Sequence, residues 1–211
     1  MNTRPIVITL IATLTVLFTT RNSGAQDSIA TGALAGHSEH RDTYRIGLVV
    51  APSQSRCDGT MALRYQNQTT NSLVSLRLHL DPNMSHKQSL EIISVEDDQG
   101  TSLAWDYQPL KFGNLRSDKG AVDVRLRKAL APFGETTVSK RFRSSGNNIV
   151  PDMVMLQDDP YQSLDGWYPK AMTARDGGWS LDDDRPADYD ATVQLPSEFA
   201  VASTGRVLDE T

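Results

Sequence analysis

The chain is poor in the residues that build reactive and disulfide-linked sites. Its 211 residues include one cysteine, Cys57, and four histidines. A single cysteine excludes an internal disulfide, so stability must come from a packed core, and we expect Cys57 to be a buried or edge thiol rather than a nucleophile. The sequence also lacks GxSxG, HExxH, CxxC and glycine-rich phosphate-loop motifs, which are short signatures of nucleophilic, zinc, redox and phosphate chemistry. By itself the chain is therefore predicted to be non-catalytic.

A surplus of positive charge is also missing. The chain has 21 Lys and Arg against 26 Asp and Glu, which gives a net charge of −5. Nucleic acid is therefore excluded as an expected partner, because its binding needs a basic surface. The charge is unevenly spread: residues 111–143 carry nine Lys or Arg and three acids, and residues 157–190 carry nine Asp and three basic residues. This indicates either two segments that pack together or two differently charged faces.

No apolar run is long enough for an ordinary membrane-spanning helix. The longest, residues 5–18, has 14 residues, whereas a span needs about 20. It follows Arg4 and precedes the small residues 23–25, which is typical of a secretory signal peptide. We expect residues 1–25 to be cleaved and the protein to be periplasmic or extracellular. Because Arg21 lies in the cleavage region, an uncleaved membrane anchor is the alternative, and only then is the membrane an expected partner.

Two polar segments contain residue types that bind metals but lack a complete set of ligands. In the leader, residues 26–42, His37 and His40 have helical spacing, but no third ligand lies nearby and no helix is predicted, so we expect a disordered polar tether. The stretch "DDDRPADYD", Asp182 to Asp190, lacks the glycine and distal glutamate of a calcium loop, so a solvated acidic loop is expected. No metal or cofactor is predicted in this chain.

From Tyr44 onward the dominant apolar period is two, and no convincing helical repeat extends over three turns. Such alternation, interrupted by turn formers, is typical of strands with one buried and one wet face. Residues 43–211 are therefore predicted to form one all-β domain, an antiparallel sandwich or a saddle-shaped curved sheet. Alternation places His79 on a wet face, so a surface position is expected for it and for His86. The clearest runs are Tyr44, Ile46, Leu48 and Val50; Met61, Leu63 and Tyr65; Val74, Leu76, Leu78 and Leu80; Val122, Val124 and Leu126; and Tyr189, Ala191, Val193 and Leu195. The run Val138, Lys140 and Phe142 alternates less cleanly.

Residues 150–181 have little periodicity and contain three large aromatics, Trp167, Tyr168 and Trp179. Large aromatics mostly serve packing, so a plug at one end of the sheets is the favoured interpretation. Long irregular segments are nevertheless often functional. An independent secreted β-sandwich that binds a glycan or peptide through the Trp167–Trp179 loop therefore stays open as an alternative, as does a purely structural envelope protein.

Four segments carry a resemblance that the composition does not reveal. In order and spacing they are similar to the amino-terminal domain of the gluzincin-type zinc aminopeptidases, the family of aminopeptidase N and leukotriene A4 hydrolase. The resemblance extends over about residues 43–205. Its segments are "YRIGLVV" at Tyr44, "GTMALRYQNQTTNSLVSLRLHLDPN" at Gly59, "GWYPK" at Gly166 and "ADYDATVQLPSEFAVASTG" at Ala187.

The resemblance implies a saddle-shaped β domain that packs against a separate thermolysin-like catalytic domain and helps to wall the peptide cavity. The zinc ligands of the family, HExxH and a later glutamate, belong to that other domain, so no catalytic or metal residue is carried over. A family glutamine before the aromatic-proline element contacts the amino group of the peptide. Gln157 is the nearest match, although "KAMT" follows Pro169 where the family differs. The candidate substrate-binding residues are Gln157, Trp167 and Tyr168.

The expected function is that of a non-catalytic amino-terminal domain of an exported zinc aminopeptidase-like protein. Its partner would be the catalytic domain of a parent or split protein, with peptide substrate contacted indirectly. The last resembling segment begins a strand pair only a few residues before Thr211. The domain is therefore expected to be incomplete at its carboxyl-terminal end.

Overall fold

The computed structural model of the chain describes residues 3–10, 41–51, 54, 56–84, 88–146, 154–156, 159–161, 168–175, 178–181, 187–196 and 206–210. Nearly all of the predicted leader, with His37 and His40, lies outside these residues. So do His86 and residues 182–186 of the predicted acidic loop.

The described residues are mostly β-strand, as the period of two predicts. One 3-10 turn, Asp81–Met84, occupies the "DPNM" turn. The strands are β1 (Thr3–Leu10), β2 (Asp42–Ala51), β3 (Arg56–Gln66), β4 (Leu73–His79), β5 (Gln88–Asp97), β6 (Trp105–Phe112), β7 (Leu115–Leu130), β8 (Glu135–Gly146), β9 (Val154–Leu156), β10 (Asp159–Tyr161), β11 (Lys170–Ala171), β12 (Thr173–Arg175), β13 (Gly178–Ser180), β14 (Ala187–Pro196) and β15 (Arg206–Glu210).

Two packed sheets form the domain, which confirms the predicted all-β class. The larger has the strand order β15-β1-β14-β2-β3-β8-β5, and the smaller has the order β11-β4-β7-β6. Two short hairpins, β9–β10 and β12–β13, complete the described strands. Both large sheets contribute to one hydrophobic cluster, so the core lies between them as in a sandwich.

The large sheet is mixed rather than purely antiparallel. Strand β14 pairs with β2 in parallel, from Ala187 opposite Asp42 to Gln194 opposite Val49. A parallel pair needs a crossover, and here the crossover contains all the strands between β2 and β14. Strand β2 begins at Asp42, one residue before the predicted start of the domain. The buried Asp42 carboxylate accepts the backbone N–H of Gln66 from β3.

The core follows the predicted alternation along most strands. Tyr44, Ile46 and Leu48 are buried, and the residues between them are more exposed. Burial of large apolar side chains supplies the main driving force of such a fold. The largest fully buried side chains are Tyr65, Phe142, Leu48, Leu63, Leu76, Leu78, Leu80, Leu90, Val95, Val122, Val124 and Val138.

Register shifts interrupt the pairing of β4 and of β5. The register of β4 shifts between Leu73 and Ser75, and Val74, predicted in the buried run, is 69% exposed. The register of β5 shifts between Ile92 and Ser94, which leaves Ile93 40% exposed. In β5 the extra residue is Ile93 itself, and its side chain is turned away from the packed face. At Val74 the extra residues lie in the partner strand β7, and Val74 has no pairing partner there.

Two asparagines of the longest resembling segment fix the turns around the smaller sheet. The Asn67 amide donates to the carbonyls of Leu130 and Ala131, and its oxygen accepts the backbone N–H of Thr69 at 3.0 Å. The Asn83 amide donates to the carbonyls of Leu90 and Lys119. Both side chains therefore satisfy backbone groups where strands end, which is a structural use of polar residues.

Strand β1 places residues 3–10 in the larger sheet, between β14 and β15. These residues belong to the predicted signal peptide, and its cleavage stays a prediction. Within the described parts of the chain, no helix has the length and hydropathy needed to span a membrane.

Gly59 makes a contact that can be tested. A Cβ built at Gly59 would clash with Cζ of the buried Phe142 ring. Because this ring is fully buried, Gly59→Ala is expected to lower the free energy of unfolding by about 2 kcal/mol. Urea unfolding followed by circular dichroism measures the loss.

Gly47→Ala is the matched control, because its Cβ would meet only the Thr60 Oγ1 atom, at 2.8 Å. This side chain can rotate, so a loss of about 1 kcal/mol or less is expected. Equal losses in the two variants would contradict the ring contact.

Candidate functional site

Of the three predicted substrate-binding residues, the structure describes Tyr168. Gln157 and Trp167 lie outside the described residues, and their predicted roles stay predictions. Trp179, the third aromatic of this region, is half-buried and packs against the hydrophobic core. Tyr168 is therefore the residue from which a site can be built.

Tyr168 belongs to a cluster of three tyrosines. Tyr44 of β2 and Tyr189 of β14 stack with ring centroids 4.9 Å apart and an interplanar angle of 10°. The Tyr168 ring meets both edge-on, at 5.6 Å from Tyr44 and 5.9 Å from Tyr189. Its hydroxyl donates to the Tyr189 hydroxyl at 3.0 Å. Stacked and edge-on pairs at such distances are favourable beyond simple burial.

The cluster fastens the segment 168–175, here called the strap, to both sheets. The backbone N–H of Ala171 donates to the Tyr44 hydroxyl at 3.0 Å. The next N–H, of Met172, donates to the carbonyl of Arg77, and β11 pairs with the end of β4. Pro169, Met172 and Ala174 are buried. The described part of the aromatic-proline element is thus used for packing, as favoured for its aromatics.

His79 is more enclosed than the sequence predicts. Alternation places it on a wet face, but its side chain is only 12% exposed. The strap strand β11 places Lys170 directly opposite His79, and Ala121 lies opposite it on the other side. The expectation of a surface histidine was wrong because the strap adds a strand beside β4.

The outer face of the larger sheet carries a shallow groove with a volume of about 430 Å³. Its lining includes the small residues Gly47, Thr60 and Ala62, together with Arg45 and Arg141. A neighbouring groove of about 450 Å³ shares Gly47, Thr60 and Arg141. Both are open depressions on a sheet surface.

One of the acids that line these grooves, Asp58, is held by two arginines. Asp58 accepts hydrogen bonds from Arg143 at 2.8 Å and from Arg56 at 2.7 Å. Burial alone would raise the pKa of Asp58, but these two hydrogen bonds outweigh it and lower the pKa. Asp58 is therefore an ionised structural partner of two arginines rather than a proton donor near neutral pH.

Cys57 is buried, as predicted, and is not a reactive thiol. Burial raises its pKa to about 11, with a hydrogen bond from the backbone of Ser144 acting in the opposite direction. The thiolate is the nucleophilic form, so near neutral pH this residue stays in its unreactive state.

Lys140 is the residue that sequence reasoning missed. It lies on β8 between Val138 and Phe142, opposite Met61 of β3 and Val95 of β5, and is 3% exposed. Its Nζ atom has no hydrogen-bond partner among the residues that the structure describes. Burial lowers its pKa from 10.5 to about 7. The signal was present in the period-two run Val138–Lys140–Phe142, which placed a lysine among core residues.

A zinc centre does not fit the described residues. They contain no group of three His, Cys, Asp or Glu side chains that could hold a metal ion. This part of the chain therefore offers no ligand set through which metal chemistry could be derived.

Comparison with known proteins gives partial likeness to solved structures. No family model and no curated protein matches the chain. The M1 zinc metallopeptidase from Deinococcus radiodurans aligns at 14% identity and a TM-score of 0.37, over 61% of this chain and 28% of that one. Leukotriene A4 hydrolase from Saccharomyces cerevisiae aligns at 19% identity and a TM-score of 0.30, over 47% and 14%. The chain thus spans less than a third of either structure.

Lys140 makes stability depend on pH. The folded state releases the Lys140 proton near pH 7, whereas an unfolded lysine holds it to about pH 10.4. The unfolded state then binds more protons, so the free energy of unfolding rises with pH, by roughly 1.4 kcal/mol per unit between about pH 7 and 9. Above pH 9 the raised pKa of Cys57 opposes this rise. Urea unfolding at a series of pH values measures the slope.

Lys140→Met is expected to remove this slope and to stabilise the domain at pH 7, since a buried amine becomes an apolar side chain of similar length. Arg141→Met, the exposed neighbour on the same strand, is the control and should keep the slope. An unchanged slope in Lys140→Met would show that other groups cause it.

The strap makes a second stability prediction. Tyr168→Phe removes the hydroxyl contact to Tyr189 and is expected to cost about 1 kcal/mol. Tyr168→Ala also removes the ring contacts to two tyrosines and is expected to cost about 3 kcal/mol. Chemical denaturation measures both, and proteolysis within the strap should accelerate in Tyr168→Ala. Phe133→Ala, at a 63% exposed aromatic, is the control. A loss in Tyr168→Ala no larger than in this control would exclude a fastening role.

Proposed function

We propose that the chain is a non-catalytic amino-terminal domain of an exported zinc aminopeptidase-like protein, which packs on a catalytic domain and shapes its peptide-binding cavity. The observation that carries this proposal is the tyrosine cluster. Tyr44, Tyr168 and Tyr189 lie far apart in the sequence, and each belongs to a different segment of the resemblance. Their convergence supports the view that the resembling segments form one structural unit rather than chance matches.

The electrostatics of the described residues also favour a non-catalytic role for this domain. Asp58 on the larger sheet is held by two arginines, and the buried thiol and the buried amine lie in the core. None of these groups combines an open approach with a free partner, which general acid, general base or nucleophilic catalysis requires. Catalytic groups would then belong to the partner domain, where zinc would also be held.

The native product from its own cells tests this proposal. It would be captured under mild conditions with an antibody against residues 56–84, and its intact mass and zinc content would be measured. We expect a species or complex much larger than the 23.2 kDa of this chain, with about one zinc ion per molecule. The same material should release amino acids from aminoacyl-anilide substrates, and a zinc chelator should abolish this release.

A parallel capture from cells that lack the gene is the control for contaminating peptidases. A product of 23.2 kDa or less, free of zinc and of any larger associated chain, would overturn the proposal. It would leave a domain that acts by itself.

A further inference from the structure

The β6–β7 hairpin extends past the body of the smaller sheet. Its last rungs pair Leu110 with Ser117, Lys111 with Arg116 and Phe112 with Leu115. A two-residue turn at Gly113 and Asn114 follows, in which Gly113 has a φ of +57°. Positive φ is available to glycine without a Cβ clash, so glycine suits this tight turn. Residues 111–116 are here called the hairpin tip.

The tip carries unbalanced positive charge. Lys111 and Arg116 lie directly opposite each other across the two strands, and both are exposed. Neither forms an ion pair with an acid in the parts of the chain that the structure describes. Lys119, on the same hairpin, lies over the Tyr107 ring at 5.1 Å. Like charges directly opposite each other on a sheet are destabilising, so the isolated fold gains nothing from this pair.

The tip also exposes apolar surface. Leu115 is 51% exposed, and it pairs with Phe112 in the rung next to the turn. The cationic rung, Lys111 with Arg116, comes one residue further from the turn, a rise of about 3.4 Å along the strand. The order from the tip inward is therefore turn, apolar rung, cationic rung.

We propose that the hairpin tip binds an anionic phospholipid surface. The exposed Leu115 would enter the headgroup layer, while the two cations one rung behind it would meet the lipid phosphates. Peripheral membrane contacts combine these two components, apolar insertion and attraction of basic side chains to anionic lipid. The proposal concerns only the tip and does not depend on an aminopeptidase partner.

A lipid surface fits this tip better than an acidic protein. The grooves on the larger sheet involve neither hairpin strand, and the tip itself is a narrow projection with one apolar and one cationic rung. A partner protein would need a matching pocket for it, whereas a bilayer accepts a projection without a complementary shape. The chain as a whole has a net charge of −5, which opposes approach to anionic lipid, so attraction must come from a local cluster.

A fluorophore at the turn tests the proposal. In the full chain, Asn114→Cys provides an exposed thiol for an environment-sensitive dye, while Cys57 is fully buried and stays unlabelled. Vesicles of phosphatidylcholine with 30% phosphatidylglycerol are compared with pure phosphatidylcholine vesicles at 0.1 M salt. A blue shift of the dye is expected only with the anionic vesicles, and it should weaken at 0.5 M salt because salt screens exposed charges.

Variants of the labelled Asn114→Cys protein, in which cations are replaced by neutral residues, show which side chains attract the anionic lipid. Lys111→Gln with Arg116→Gln should lower the partition coefficient about 30-fold, or about 5-fold for each cation. The matched control, Arg45→Gln with Lys128→Gln, removes two exposed cations elsewhere and should leave the partition coefficient within 2-fold. Leu115→Ser should reduce the blue shift and retain the salt dependence.

Three results would overturn the proposal. They are no blue shift with anionic vesicles, the same blue shift with phosphatidylcholine alone, and equal losses in the two double variants. The second result would assign binding to apolar parts of the chain such as residues 3–10. The first would leave an acidic protein as the partner to examine.

Discussion

The parallel pairing of β14 with β2 is the constraint on which the rest of the described structure depends. It brings Tyr189 beside Tyr44 at a fixed register, and the two rings then form the surface on which Tyr168 packs. The Tyr44 hydroxyl also accepts the backbone N–H of the strap, so one side chain links the larger sheet to the strand that extends the smaller one. Since β14 and β2 are separated by about 140 residues of sequence, this contact closes the domain, and its loop-closure entropy must be balanced by tight packing.

Local periodicity predicted the features that depend on a single strand and missed those that depend on contacts between distant parts of the sequence. Alternation in β2 and β3 identified the buried face correctly because both strands are regular and flanked on each side. It failed at Val74, where extra residues in the partner strand β7 interrupt the pairing with β4, because the periodicity of one strand does not reveal an insertion in its partner. It also failed for His79, whose exposure depends on β11, a two-residue strand more than 90 positions away. Pairing between distant strands, unlike local periodicity, cannot be deduced from a short segment of the sequence.

Of the candidate site, the sequence indicated Tyr168 and its packing role but not the partners that give the role its geometry. Lys140 is the instructive failure. Its position in an alternating run predicts burial, whereas its side chain predicts exposure, and chemistry favours the second because a buried ammonium is costly. In the folded state burial lowers the pKa of Lys140. The amine that has lost its proton is compatible with the core. A charged residue at a core position therefore indicates a shifted pKa as readily as an error in the predicted face.

Lys140 and the two cations of the hairpin tip differ in what packing demands of them. Lys140 is set among core residues, so its surroundings are dictated by the need to fill space, and its chemistry follows from that burial. Lys111 and Arg116 lie beyond the core, on rungs whose side chains could be exchanged for polar or acidic ones without opening a cavity. Packing cannot account for two adjacent cations there, and cross-strand repulsion disfavours them. These two residues neither fill space nor stabilise the fold. Their identity is best explained by contact with a partner outside the domain, and the proposed partner of the hairpin tip is negatively charged.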